Sequence, residues 1–158
     1  MGRVVTADEL QKVLTVKRGQ DFKIVSTNGC FDILHVGHLR YLQAARAMGD
    51  VLVIAINSDR SVRQLKGPAR PLVNQDDRAE LLAGLACVDY VVIFDEPTPE
   101  NFLKIIRPDI HVKGGDYDPE SLPEAATLKA LNTELRFVPV VANRSTTDLV
   151  QKIQSVNS

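Results

Sequence analysis

Two of the chain's three histidines, His35 and His38, flank Val36 and Gly37 in the stretch TNGCFDILHVGHLRYL. The stretch follows an apolar β-rich run and leads into a helical pattern, so both imidazoles belong to a strand-to-helix turn. A helix start leaves backbone N–H groups unpaired at the positive end of the dipole, where an anion is favoured. Gly37 would let the main chain approach a phosphate closely, and two imidazoles could donate hydrogen bonds to its oxygens. Zinc ligation from one helix asks for histidines at i and i+4 with a third ligand. The remaining histidine, His111, is distant in sequence, so the spacing favours phosphate over metal. The bland alternative, two histidines near a turn with no task, weakens only through their neighbours. Neither a G-x-G-x-x-G dinucleotide fingerprint nor the Gly-Lys-Ser/Thr ending of a Walker loop is present.

The elements that must position this pair alternate along the chain. Short apolar runs bounded by turn formers predict five strands, at residues 23–27, 51–56, 90–94, 109–113 and 136–140. Leu39, Leu42, Ala45 and Met48 recur on one helical face before Gly49 stops the pattern. Further helices are predicted over residues 7–16, 75–85, 99–106, 123–131 and 146–155. Strands apolar on both faces imply a parallel sheet covered by helices on either side, a Rossmann-like open α/β fold. In such sheets ligands bind beyond the carboxyl ends of the strands, which is where the turn carrying His35 and His38 falls.

Bulk properties restrict the partners. The 158 residues suit a single domain, with a core region at 23–153 behind the N-terminal helix. A composition of 44% hydrophobic and 25% charged residues is that of a globular protein. A net charge of −1 provides no global field for nucleic acid or an anionic membrane, so small-molecule partners are expected. The N-terminus lacks the layout of a signal peptide and no apolar run is long enough to span a bilayer, so a cytoplasmic location is expected. Cys30 and Cys87 have neither zinc-site nor redox-pair spacing and are expected to be free thiols.

Other residues are candidates by type and place. Lys66 lies in QLKGPARP, read as a Gly- and Pro-rich loop that could close over the site; as a bare lysine it could equally be a solvated surface residue. Arg78 falls in the first turns of its helix, where a cation opposes the dipole, which mildly supports a role beyond solvation. Arg63 and Arg70 are weaker candidates of the same kind for the acceptor. Asp32 could touch an acceptor or a Mg²⁺ ion carried by a nucleotide, or serve only as a turn former. Gly114, Gly115 and Asp116 end a strand with small residues against which a base or ribose could lie. Ser145, Thr146 and Thr147 open the last helix, with Ser145 or Thr146 as N-cap, and a hydroxyl-rich helix start also suits phosphate.

The segment GCFDILHVGHLRYLQAARAMGD resembles the signature of the cytidylyltransferase-like nucleotidyltransferases, a Rossmann-like superfamily defined by His-x-Gly-His. The likeness continues through AINSDRSVRQLKGPARPLVNQDDRAELLAGLACVDYVVIF, IRPDIHVKGGDY and NRSTTDLVQKI, in the family's order. LKGPARP and VKGGDY are most similar to the adenylyltransferase half of ADP-heptose synthases. That resemblance implies transfer of AMP from ATP to D-glycero-β-D-manno-heptose 1-phosphate, with pyrophosphate released and Mg²⁺ accompanying ATP, in lipopolysaccharide core or related heptose assembly. In many bacteria this half is fused to a sugar kinase, and a stand-alone form is expected here.

By the same resemblance His35 and His38 hold the triphosphate and stabilise the transition state, and Lys66 acts as a movable cationic clamp. Arg78 contacts nucleotide or acceptor phosphate, and Ser145, Thr146 and Thr147 contact nucleotide phosphates. Gly29, Phe31, Gly37, Gly114 and Asp116 complete the nucleotide-binding candidates. A homodimer is a further expectation, to which the apolar N-terminal segment could contribute. A cytidylyltransferase for glycerol 3-phosphate or a similar small phosphate is the alternative enzyme, disfavoured by VKGGDY. A catalytically silent nucleotide-binding module is the non-enzymatic one.

Overall fold

Every residue of the strand Val51–Asn57 is buried, and its side chains alternate between two separate cores. Leu52, Ile54 and Ile56 face one core, while Val51, Val53 and Ala55 face the other. This is the period of two expected of a strand covered on both sides. The computed structural model describes residues 1–115, 118–139 and 145–157. Among these the strands are β1 (Arg3–Val4), β2 (Ile24–Gly29), β3 (Val51–Asn57), β4 (Tyr90–Phe94), β5 (Ile110–Gly114) and β6 (Glu134–Val138). The α-helices are α1 (Ala7–Gly19), α2 (Val36–Arg46), α3 (Asp59–Lys66), α4 (Gln75–Ala83), α5 (Glu100–Ile106), α6 (Ala125–Ala130) and α7 (Thr146–Val156).

The strands form one sheet in the order β1-β4-β3-β2-β5-β6, with every pairing parallel. Leu42 and Ala45 of α2 and Ala79 and Leu82 of α4 cover one face; Leu10 and Leu14 of α1, Phe102, Leu103 and Ile106 of α5 and Leu128 of α6 cover the other. The chain runs outward from β2 through β3 to β4, then returns to place β5 on the other side of β2. The order of strands therefore reverses between β2 and β5, and a crevice opens beyond their carboxyl ends.

Two elements add to those expected. The sheet has six strands among the described residues where five were predicted. The addition, β1, is two exposed residues paired with Tyr90 and Val91 at the sheet edge, too short to show any period. Helix α3 was also not predicted. Its sequence is polar, with only Ser61 and Val62 buried, so no apolar stripe marks it. Ser58 caps it by accepting from the Ser61 N–H, and Gly67 ends it at φ 95°, a conformation glycine adopts without strain. Lys66 is accordingly the last residue of a helix, and the Gly- and Pro-rich loop starts after it.

Candidate active site

The turn between β2 and α2 is built by its own side chains. His35 is the N-cap of α2, and its Nδ1 accepts from the Gly37 N–H at 3.1 Å. His38, three residues on, accepts from the His35 N–H through its own Nδ1 at 3.3 Å. The result is a capping box in which two imidazoles replace the usual hydroxyl and carboxamide. An imidazole that accepts at Nδ1 is neutral and carries its proton on Nε2. The cap thus fixes the tautomer of both rings and leaves Nε2–H as each one's donor, with the ring centroids 4.0 Å apart. Burial pushes the His38 pKa down to about 4, and the nearby His35 and Lys66 add to the shift. At neutral pH this histidine is an uncharged donor.

Phe31 supports the arrangement. Its φ of 49° turns the chain sharply after the strand, and its ring lies 5.4 Å from that of His38. Gly29 lets the Phe31 ring lie close to the strand, since a Cβ there would meet the ring at 3.0 Å and press it aside. On α2, one turn after His38, Tyr41 shares a hydrogen bond with Thr27 at 2.6 Å and donates to the Val112 carbonyl at 2.9 Å. These bonds fasten the histidine helix to the ends of β2 and β5.

The crevice is a cavity of about 680 Å³, in the range of small-molecule sites. His35, Gly37, His38, Gly29, Phe31 and Asp32 line it from the β2–α2 turn, Lys66 and Arg70 from α3 and its loop, Gly114 from β5, and Ser145, Thr146 and Thr147 from the start of α7. Ser145 caps α7 by accepting from the Asp148 N–H, while the Thr146 hydroxyl donates to the Ile33 carbonyl at 3.0 Å. Two helix N-termini, two neutral imidazole donors and two cationic side chains thus converge on one volume. That combination suits a polyanion such as a nucleoside triphosphate.

Two candidates occupy other positions. Arg78 is fully buried and does not line the cavity: its guanidinium donates to the carbonyls of Val73, Cys30 and Asn57 and pairs with Asp59 at 2.8 Å. In place of the phosphate contact expected of it, it ties the loops after β2 and β3 to α4. Arg63 is exposed on α3, away from the cavity lining. Asp116 lies outside the described residues. Asp32 does face the cavity, but its carboxylate accepts from the N–H groups of Leu72 and Val73 and pairs with Arg70 at 3.4 Å. It clamps the loop after α3 and does not fit the role of a Mg²⁺ ligand, and no group of three potential metal ligands occurs among the described residues.

The sequence reading missed Asn28, Cys30, Tyr41, Val138 and Pro139 in the lining. Tyr41 was accessible in principle, since it stands three positions after His38 on the same helix and therefore near the same face. His111 is a buried strand residue, as expected, and complete burial next to Lys113 lowers its pKa to about 3.

Both depressed histidine pKa values carry a stability consequence. Between their ordinary value of 6.5 and the lowered ones, the unfolded chain binds protons that the folded chain does not. Their contribution is therefore present above about pH 6.5 and is lost as pH falls, down to about 4 for His38 and about 3 for His111. The urea midpoint is expected to drop as pH falls below 6.5, and His111→Gln, which removes one titrating group, should reduce the slope between pH 6.5 and 4 and abolish its share of the drop between about 4 and 3.

The fold and this crevice define a Rossmann-like nucleotidyltransferase domain. The chain belongs to the cytidylyltransferase-like family, whose model matches residues 26–156. It is 49% identical over 146 residues to the bifunctional protein HldE of Syntrophotalea carbinolica, covering 92% of this chain and 30% of that one. Against the same-named protein of Koribacter versatilis the identity is 50% over 150 residues, covering 95% of this chain and 31% of that one. The chain thus spans 30–31% of the length of these curated relatives. Among solved structures, the lipopolysaccharide core biosynthesis protein of Thermoplasma volcanium matches with a TM-score of 0.63 and 27% identity, over 76% of this chain and 97% of that one.

Proposed function

We propose that the chain transfers the adenylyl group of ATP to D-glycero-β-D-manno-heptose 1-phosphate, giving ADP-heptose and pyrophosphate for lipopolysaccharide core or related heptose assembly. The observation that carries this reading is the pair of imidazoles locked as Nε2–H donors at the N-terminus of α2, inside a cavity of nucleotide size. Their placement supports donation to the α-phosphate. An oxygen of the sugar phosphate, already ionised and needing no protein base, attacks the α-phosphorus, and the bond to the bridging oxygen of the β-phosphate breaks as pyrophosphate leaves. The protein's work is then positioning and charge stabilisation. Lys66 acts as the movable cationic clamp, Arg70 adds positive charge on the acceptor side while held by Asp32, and the Ser145 and Thr147 hydroxyls supply further phosphate donors. Mg²⁺ enters as part of the MgATP substrate, and the reaction belongs in the cytoplasm. Dimerisation is part of the same proposal.

The choice of heptose rests on VKGGDY and LKGPARP and on the high identity to the HldE proteins. The test is pyrophosphate release from ATP or CTP with a panel including heptose 1-phosphate and glycerol 3-phosphate. Release with ATP and heptose 1-phosphate is the expected result. Release only with CTP would replace this reading by a cytidylyltransferase, and release with no pair would leave a nucleotide-binding module.

A further inference from the structure

Asn28, the penultimate residue of β2, lines the cavity at the strand-order reversal, beside β5. Its neighbours decide which way its carboxamide faces. Lys113 Nζ donates to Asn28 Oδ1 at 3.3 Å, and His111 Nε2 lies 3.1 Å from the same oxygen. An ammonium cannot accept, so the group beside Lys113 must be the oxygen. His111 is neutral at physiological pH and has one N–H to give, which this geometry places on Nε2. Its Nδ1 then accepts from the Ser26 hydroxyl at 2.7 Å. Lys113 is in turn held and neutralised by buried Glu124 at 3.1 Å. With Oδ1 turned to the Lys113 ammonium and the His111 ring, the Asn28 Nδ2 is the remaining polar group of the carboxamide. Among the described residues Nδ2 has no acceptor.

We propose that Asn28 is a substrate-recognition residue whose Nδ2 donates to an uncharged oxygen or ring nitrogen of a bound substrate, with Lys113 and His111 acting as positioning residues. Alternation along β2 puts Ser26 and Asn28 on the face covered by α1, α5 and α6, opposite Thr27, Tyr41 and the histidine helix. The cationic and helix-terminal donors lie on the other side of the sheet end. The Asn28 wall, with its lysine neutralised, is suited to a hydroxyl or base edge in preference to a phosphate. Such an acceptor could come from the sugar or from the nucleoside, and the experiment separates the two.

The inference deepens the adenylyltransferase reading and rests on it for the identity of the substrates, but its first test needs no turnover. Side-chain amide signals of ¹⁵N-labelled protein, with the Asn28 pair identified by its loss in Asn28→Asp, are followed during separate additions of ATP and heptose 1-phosphate. A shift of that pair with one ligand supports the proposal and names the source of the acceptor; a shift with neither overturns it, even if the protein releases no pyrophosphate. In the kinetic arm, Asn28→Ala is expected to raise the KM of that same substrate by about tenfold with little change in kcat, as for one lost neutral hydrogen bond. Lys113→Met should raise the same KM less, because His111 still holds the carboxamide. Unchanged KM values in a folded, active Asn28→Ala protein would also overturn the proposal.

Discussion

Replacing His38 by alanine is expected to cut adenylyl transfer by at least roughly a hundredfold, the size of effect seen when one preorganised transition-state donor is removed. The preorganisation is visible in three contacts. Nδ1 is occupied by the His35 N–H, the His35 ring lies 4.0 Å away, and Phe31 packs at 5.4 Å, so the ring has little freedom to turn its Nε2–H elsewhere. As the α-phosphate gains charge, such a donor strengthens without paying for its own reorientation. The same substitution removes one capping acceptor from α2, a loss of about 1 kcal/mol. For a chain of this length that lowers the melting temperature by only about 2–4 °C. Kinetics and thermal unfolding therefore separate the two jobs of His38: a large fall in kcat in a protein that still melts cooperatively near the parental temperature. A parental kcat would refute the catalytic role. Because His38 protonates only near pH 4, it should produce no inflection in the rate around neutrality.

The parts of this molecule that were legible in the sequence are those with a strong local signature. Strand β3 announces itself because all its residues are apolar or strand-ending, and α2 because its apolar residues repeat at helical spacing. The N-cap at Ser145 was readable from turn chemistry, whereas α2 begins at Val36, capped by His35, about two residues before the start near His38 that the sequence suggested. What was not legible depends on partners far away in the chain. The boundary of β6 lies two residues earlier than predicted, because its pairing with β5 from Ile110↔Glu134 onward, rather than its own apolar pattern, decides where it starts. Helix α3 is polar, held by a serine cap and a glycine stop, and its only apolar anchor is Val62. Asp32 looked like a turn former or a metal-contacting carboxylate, and only the fold brings Leu72 and Val73 to it, some forty residues downstream. Asn28 has an informative environment only once β5 is beside β2, since both residues that orient it come from β5.

Arg78 is the sharpest case of a residue whose type suggested one job and whose surroundings give it another, and its removal should be among the most damaging single changes to stability. The guanidinium is completely buried and makes three bonds to carbonyl oxygens and one to Asp59. Alanine would leave those carbonyls without donors, the Asp59 carboxylate without its partner, and a void where a long side chain had been. Asp59 is partly exposed and can be rehydrated, so the cost lies mainly in the carbonyls left unsatisfied, at about 1–3 kcal/mol for each that stays buried, a large share of the roughly 5–15 kcal/mol that a domain has in total. The expected observation is a sharply lowered urea midpoint with an unchanged m-value, or loss of soluble protein at 37 °C. Arg78→Lys discriminates between the structural job and phosphate binding. A lysine keeps the charge, so a phosphate-binding position would retain most of its stability and show a raised KM for a phosphorylated substrate. At the structural position a single ammonium cannot reach three carbonyls in different directions, and lysine should destabilise nearly as much as alanine. An unfolding midpoint for Arg78→Lys close to that of the parent would show that the carbonyl network is not what holds these loops, and would return Arg78 to the list of substrate ligands.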